Sequence, residues 1–280
     1  MQTQIIDGKK LRDEILEKVK KEVSLLSFQP VFCDVLVGDD PASKQYVQMK
    51  ANTAEKIGIH FHYASFKATI TTEELVKEIK TLNKIPNMCG LIVQLPLPDS
   101  FDRTKVLDAI DFEIDVDCLG GLASEKFFNK KSEIGRPTAV SCMKLLDSVN
   151  LDLKNKKILI LGQGELVGRP VASLMKFRGL NPDIAVRDTK NQTELMKQAD
   201  IIISGTGHGK LITGEKIKKG VIIIDAGTSK IDGKIVGDVD RESVEGIASF
   251  ISPVPGGVGP VTVAVLLYNV LQVAKNKNNV

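Results

Sequence analysis

The stretch KILILGQGELVGRP, residues 157–170, decides the fold. An apolar run, Ile158 to Leu161, stops at Gly162 and is followed by Gly164 and Gly168. This reads as a buried strand, a glycine turn and the start of a helix, with Pro170 in the first helical turn, where a missing N–H is tolerated. Glycines there let a backbone approach a pyrophosphate, and the helix N-terminus favours its charge. The spacing is G-x-G-x-x-x-G, not the commoner G-x-G-x-x-G. A tight strand-to-helix turn without a ligand would use the same residues.

Working outward, DIAVRD (183–188), DIIISG (200–205) and VIIIDAG (221–227) read as further strands, with a helix over Val167–Arg178. The first of these strands ends in Arg187-Asp188. An acid there suits the ribose hydroxyl of NAD and an arginine suits the 2′-phosphate of NADP, so both cofactors stay open. Gly205-Thr206-Gly207 and Ala226-Gly227-Thr228 end the other two, and ordinary turn chemistry would account for either alone.

The N-terminal half alternates in the same way. VFCDVLVG (31–38), HFHYASF (60–66) and GLIVQL (90–95) are strands, and residues 8–25, 43–57 and 72–83 read as helices. Alternation of this kind implies an α/β fold with parallel sheets and helices on their faces. Residues 111–137 are less regular and separate two units, and VTVAVLLYNVLQV (261–273) closes the chain as a helix. The expected division is a domain over 1–136, completed by a helix over 261–280, and a Rossmann-type domain over 137–260. Ligands favour the cleft between such domains.

With 38 basic and 35 acidic residues in 280, the net charge is +3, which excludes a general nucleic-acid binder. No apolar run approaches the ~20 residues that span a bilayer, and MQTQIIDGKK lacks the pattern of a signal peptide, so no membrane partner is expected. Cys33, Cys89, Cys118 and Cys142 have no metal-type spacing and read as reduced thiols of a cytoplasmic protein. His60 and His62 alternate with Phe61 and Tyr63 along a strand, a half-polar face, and no metal is expected.

Tyr46 and Lys50 stand four apart in a helix and share a face. A surface ion-pairing lysine is the ordinary explanation. Two features argue for a site instead: Gln94 ends an otherwise apolar strand, and SPVPGGVGP (252–260) is a rigid loop. A lysine in a partly dry cleft has its ammonium disfavoured and becomes useful for acid–base work. Gln94, a neutral amide, could orient it without a salt bridge.

Taken together, VGDDPASKQYVQMK (37–50), GLIVQLPLP (90–98), DVD (115–117), VGRP (167–170), GDVD (237–240) and PVPGGVGPVT (253–262) resemble the bifunctional methylenetetrahydrofolate dehydrogenase/cyclohydrolase family. The resemblance covers nearly the whole chain. It implies that the first unit holds tetrahydrofolate derivatives and the second a nicotinamide nucleotide, more often NADP, in a homodimer. It implies hydride transfer from 5,10-methylenetetrahydrofolate to NADP+, then hydrolysis of the methenyl product to 10-formyltetrahydrofolate. Lys50 matches the catalytic lysine, Gln94 the glutamine that positions it, Tyr46 the tyrosine packed on the aminobenzoate ring, and Asp117 the aspartate on the pterin-type ring. Leu95, Pro255, Gly256 and Gly257 fall in the substrate site. Gly162, Gln163, Gly164, Val167, Arg187, Gly207 and Thr228 fall at the dinucleotide.

The chain also departs from the family pattern. K-D-V-D-G-F is Ile114-Asp115-Val116-Asp117-Cys118-Leu119 here, and P-C-T-P is Arg136-Pro137-Thr138-Ala139. The family's G-R-S at the nucleotide loop is Gly162-Gln163-Gly164, which weakens a 2′-phosphate contact that Arg187 could replace. Alternative readings are a dehydrogenase with weak or lost cyclohydrolase activity and a non-catalytic nucleotide-binding sensor. Intact Lys50, Gln94 and Asp117 favour the bifunctional enzyme.

Overall fold

A computed structural model describes residues 2–278, so the last two residues of the expected 261–280 helix lie outside the described residues. The chain opens with β1 (Gln4–Ile5), α1 (Gly8–Val23), β2 (Val31–Val37), α2 (Pro41–Lys56), β3 (His60–Phe66), α3 (Thr72–Leu82) and β4 (Met88–Val93). Next come α4 (Arg103–Leu107), α5 (Gly121–Phe128) and α6 (Pro137–Asp147). The elements β5 (Ile158–Leu161), α7 (Gly168–Phe177), β6 (Asp183–Ala185), α8 (Gln192–Gln198), β7 (Ile201–Ser204) and β8 (Ile222–Asp225) follow. A hairpin, β9 (Ser229–Ile231) and β10 (Lys234–Val236), then α9 (Arg241–Val244), β11 (Phe250–Ile251) and α10 (Val258–Asn278) complete it.

Contacts divide the chain into two compact units. The first holds Glu14–Pro137 and the chain from Val263 onward; the second holds the N-terminal residues up to Asp13 and Thr138–Thr262. The N-terminal residues up to Asp13, expected with the first domain, thus group by contacts with the second. Gln4–Ile5 pairs in parallel with Phe250–Ile251, and the Thr3 hydroxyl donates to the Ala248 carbonyl at 2.8 Å. A two-residue strand is too short to leave a periodic signal in sequence.

In the first unit, β2 lies between β3 and β4 in a parallel sheet. All seven residues of β2 are buried, which explains its near-continuous apolar composition and makes Asp34 an anomaly. Helix α2 starts at Pro41, two residues before the expected Ser43, because the Asp40 carboxylate caps the Ser43 N–H at 2.8 Å. Thr71 and Glu74 form a capping box at the start of α3. Helix α10 is long and apolar enough to cross a membrane by length and composition, contrary to the sequence reading, yet 67% of that window is buried inside the protein. Its apolar side chains, among them Leu266, Val270 and Leu271, join the core of this unit. A Cβ on Gly90 would stand 2.6 Å from Val270, so the glycine lets α10 pack close to β4.

The second unit carries a six-stranded parallel sheet in the order β1-β11-β8-β7-β5-β6. The expected parallel α/β architecture is observed in both units. One expected strand is shorter: β6 stops at Ala185, and Arg187 and Asp188 lie in a turn closed by Thr189. There the Val186 N–H donates to the Thr189 hydroxyl at 2.9 Å and the Thr189 N–H returns to the Val186 carbonyl at 2.9 Å. The alternation of strand side chains therefore does not sort Arg187 from Asp188, and both are exposed.

Two buried carboxylates bind the strand ends of this unit. Asp225 accepts the N–H groups of Gly227 (2.9 Å), Asp238 (3.1 Å) and Val239 (3.0 Å). Asp238 accepts the Ser204 hydroxyl at 2.6 Å and the Thr206 N–H at 2.7 Å. Burial, with a smaller contribution from Asp238, pushes the Asp225 carboxyl up to about 7. An acid raised in the folded state keeps its proton where the unfolded chain has lost it. The stability it contributes is full below about pH 4 and is lost as pH rises to about 7. Asp225→Asn cannot titrate, so its destabilisation relative to wild type should be larger at pH 5 than at pH 8. Thermal melts at the two pH values check this, and an equal difference at both would refute it.

Candidate active site

Lys50 sits on the buried side of α2 with 2% of its surface exposed. Its Nζ donates to Gln94 Oε1 at 2.8 Å. Gln94 follows the end of β4, where its N–H continues the ladder to the Val35 carbonyl at 2.9 Å. Its Nε2 donates to the Leu95 carbonyl at 2.6 Å, which fixes the amide with its oxygen toward the lysine. Nζ also lies 4.8 Å from the Tyr46 ring centroid, one turn back on α2.

Lys50 Nζ has a further partner, Asp34 Oδ2, at 2.5 Å, with both side chains buried. The expectation that Gln94 would hold Lys50 without a salt bridge is thus corrected: a charge taken out of water is stable only when paired. Asp34 is one of the residues that sequence reasoning missed. Its signal was present as the one charged side chain in VFCDVLV. Burial raises the Asp34 carboxyl, and the charge and hydrogen bond of Lys50 oppose that rise. The Tyr46 hydroxyl is raised by burial and by the nearby charges of Asp117 and Asp34.

Asp117 is presented by a loop that Asp115 shapes. Asp115 Oδ2 accepts the N–H groups of Leu119 (3.0 Å) and Gly120 (2.8 Å), and burial pushes its carboxyl up to about 6. The Leu91 N–H donates to the Ile114 carbonyl at 2.8 Å, anchoring the loop on β4. From α10, Asn269 Nδ2 donates to the carbonyls of Val116 (2.8 Å) and Gly135 (2.7 Å). Cys118, which replaces the family's glycine, has φ of 55°, a left-handed backbone that a side chain disfavours. Burial pushes the Asp117 carboxyl up to about 7; Lys50 and Arg136 pull it down, and Asp115 and Asp34 push it further up. Buried Arg136 donates from Nη2 to the Ser124 hydroxyl at 2.8 Å and lies 5.0 Å from the Phe128 ring centroid.

The second unit contains the dinucleotide candidates. Gly162 has φ of 90°, and a Cβ there would stand 2.9 Å from the Gly205 carbonyl oxygen. A Cβ on Gly168 would stand 2.0 Å from the Gly162 carbonyl oxygen, so close helix–strand packing alone requires that glycine. A Cβ on Gly164 would meet nothing within 4 Å, so the protein itself leaves that position room. Val167 begins α7 without a side-chain cap, and an anion can approach that helix end without displacing one. Gln163 turns its Nε2 back onto the Gly162 carbonyl at 2.9 Å. Gly207 has φ of 67° and Thr228 is exposed nearby, its carbonyl oxygen 3.9 Å from where a Gly207 Cβ would lie.

Of the expected site residues, the structure gathers Tyr46, Lys50, Gln94 and Asp117 in the first unit, with Leu95 beside Gln94. Pro255, Gly256 and Gly257 lie in the second unit, as do Gly162, Gln163, Gly164, Val167, Gly207 and Thr228. Arg187 lies in the turn after β6, outside the strand. Gly257 is hemmed in within its own unit, where a Cβ would stand 2.6 Å from the Pro253 carbonyl oxygen. Asp34, Asp115, Arg136 and Asn269 complete the surroundings and were not singled out as site residues from sequence.

Two family models match the chain. The tetrahydrofolate dehydrogenase/cyclohydrolase catalytic domain matches residues 6–117, and the NAD(P)-binding domain of that family matches residues 136–278. The bifunctional protein FolD of Nautilia profundicola is 42% identical over 276 residues, covering 97% of each chain. A crystal structure of the bifunctional FolD enzyme from Campylobacter jejuni superposes with a TM-score of 0.94 at 36% identity, covering 98% of this chain and 99% of that one. The Trypanosoma brucei enzyme, in complex with NADP and an inhibitor, gives a TM-score of 0.93 at 31% identity, covering 99% of each chain. With both of its units matched and relatives of this identity along its full length, the chain belongs to the tetrahydrofolate dehydrogenase/cyclohydrolase family.

Proposed function

We propose that the protein oxidises 5,10-methylenetetrahydrofolate to 5,10-methenyltetrahydrofolate with NADP+ and hydrolyses the product to 10-formyltetrahydrofolate, an enzyme of one-carbon metabolism. The observation that carries this reading is Lys50, buried beside Gln94 and Tyr46 on one side of a strand end. An amine so placed is held for chemistry rather than for solubility. Tyr46 packs against the aminobenzoate ring. Asp117 hydrogen-bonds the pterin-type ring. Lys50 activates the water that adds to the methenyl carbon, with Gln94 keeping Nζ in place. The first unit holds the folate.

The second unit holds the dinucleotide, which when bound takes up the hydride. Its residues fit that ligand: Gly164 leaves room, and the start of α7 is open to a pyrophosphate. Arg187, exposed in its turn, supplies the cation for the 2′-phosphate of NADP, and NAD use is secondary. The protein works as a cytoplasmic homodimer. Its four cysteines are buried thiols, as suits a reducing compartment. The edge strand β6 leaves Ile184 exposed, a surface that a second copy could cover through the nucleotide unit.

Replacing Lys50 with Met removes the amine but keeps the stem. Cyclohydrolase turnover should fall by about 100-fold or more, the scale of a lost acid–base group. Asp34 would then be buried without its counter-charge, so a thermal melt and folate binding are measured in parallel to verify folding of the first unit. Near-normal hydrolysis of methenyltetrahydrofolate by the folded variant would remove Lys50 from the mechanism.

Asp117→Ala should weaken folate binding by about 1.5–3 kcal/mol while leaving dinucleotide binding intact. Calorimetry with each ligand tests this, and equal losses for both would count against it. For cofactor choice, Arg187→Ser should lower the NADP+/NAD+ ratio of kcat/KM by about tenfold, the scale of one charged contact. If the ratio holds, another group reads the 2′-phosphate.

A further inference from the structure

The buried acids Asp34, Asp115 and Asp225 are satisfied in different ways. Asp115 and Asp225 accept backbone N–H groups, two for the first and three for the second. Asp34 makes no such bond: among the described residues neither of its oxygens has a geometric hydrogen-bond partner, and its Oδ2 meets Lys50 Nζ at 2.5 Å as an ion pair. The ion pair with Lys50 is therefore what answers the buried Asp34 carboxyl. An opposite charge at this distance favours the ammonium.

The two steps of the proposed reaction differ in what they ask of Lys50. In the first, a C–H bond of the methylene breaks and its hydrogen and electron pair pass to NADP+, with no proton moved. In the second, the oxygen of water bonds to the methenyl carbon, the π pair of the C=N+ bond moves onto nitrogen, and a water proton passes to Nζ. That transfer needs a lone pair on Nζ, so the ammonium must first release a proton. We infer that Asp34 is a positioning residue that holds Lys50 as the ammonium and so restrains water addition relative to hydride transfer. This inference rests on the folate reading of the site.

Other groups around Nζ do not substitute for Asp34. Gln94, after β4, is neutral. Asp117, itself acted on by Asp115 and Arg136, reaches Lys50 from the segment over 111–136 as a charge without a direct ion pair. Tyr46 lies on the same helix, and burial keeps its hydroxyl protonated. Cys33, next to Asp34 on β2, is raised by burial and by that acid, and stays a neutral thiol.

Asp34→Asn keeps the shape of the side chain and removes its charge. At pH 7 the ratio of cyclohydrolase to dehydrogenase turnover should rise about tenfold, and the rising limb of the cyclohydrolase pH profile should move to lower pH. The ¹⁵Nζ resonance of Lys50 should shift toward that of an amine at neutral pH, a readout independent of turnover. If the amide does not fold in this strand, Asp34→Val, which suits its apolar neighbours, carries the same test. A ratio that falls makes Asp34 a proton acceptor for Lys50 and overturns the inference. So does a ratio and resonance unchanged in a folded variant. A wild type that oxidises no methylenetetrahydrofolate defeats the functional reading, and this inference with it. A wild type with both activities and an unmoved ratio in the variants defeats only the inference.

Discussion

An ammonium removed from water needs a partner, and Lys50 finds one on the central strand of a three-stranded parallel sheet. The remaining features of that unit fit this arrangement. Strand β2 is buried along its whole length, so Asp34 has no water to turn to. Helix α2 is capped at Asp40 and runs from there, which sets Lys50 on its inward side and Tyr46 one turn earlier. Gln94 follows β4, neighbour of β2 in the sheet, and its amide is fixed by the Leu95 carbonyl. Geometry at Nζ is thus a consequence of strand order and of one helix cap, both ordinary local chemistry.

The second unit solves a different problem, close backbone approach. Gly168 against Gly162, and Gly205 against Val167, leave no room for a Cβ. The buried acids need glycines as well: a Cβ on Gly227 would stand 2.0 Å from Asp238 Oδ1, and one on Gly237 would stand 2.0 Å from Asp225 Oδ2. The carboxylates and the missing side chains are two halves of one device that brings the ends of β7 and β8 together with the segment before Asp240. Gly164 stands apart from this set. No contact inside the protein asks for a glycine there, so its reason has to come from a ligand or from the turn itself.

Much of this was legible in sequence. The alternation of apolar runs with helical spacing gave both parallel sheets, and the Tyr46–Lys50 spacing with Gln94 located the lysine site. What was not legible depends on distance along the chain. Strand β1 is two residues long and gains its meaning only from β11, some 245 residues away in sequence. Helix α10 read as apolar but not as a candidate span, because sequence shows composition without showing what covers it. The strand expected over 183–188 stopped early because the Thr189 hydroxyl captured a backbone N–H and made a turn. Asp34 was visible as a letter in an apolar strand, yet its partner became visible only when β2 and α2 were folded against each other.

The departures from the family pattern are connected through electrostatics. Where the family carries lysine beside the paired aspartates, this chain has Ile114, buried, with its carbonyl bound to β4. One cation is thereby absent next to Asp115 and Asp117, and burial holds both carboxyls above their ordinary range. Where the family reads P-C-T-P, this chain has Arg136, a buried cation that pulls the Asp117 carboxyl down. The positive charge absent at Ile114 has a counterpart in Arg136, which acts on the same Asp117. Arg136 is tied to Ser124 and lies against Phe128, and Asn269 joins the Val116 and Gly135 carbonyls. Helix α10 and the arginine segment therefore hold the Asp117 loop from two directions. Asp34 is a further acid that acts on Asp117, and it pairs directly with Lys50. The protonation of Asp117 is then a property of the group of charges, and a substitution at any one of Asp34, Asp115 or Arg136 should be read through its effect on the other two.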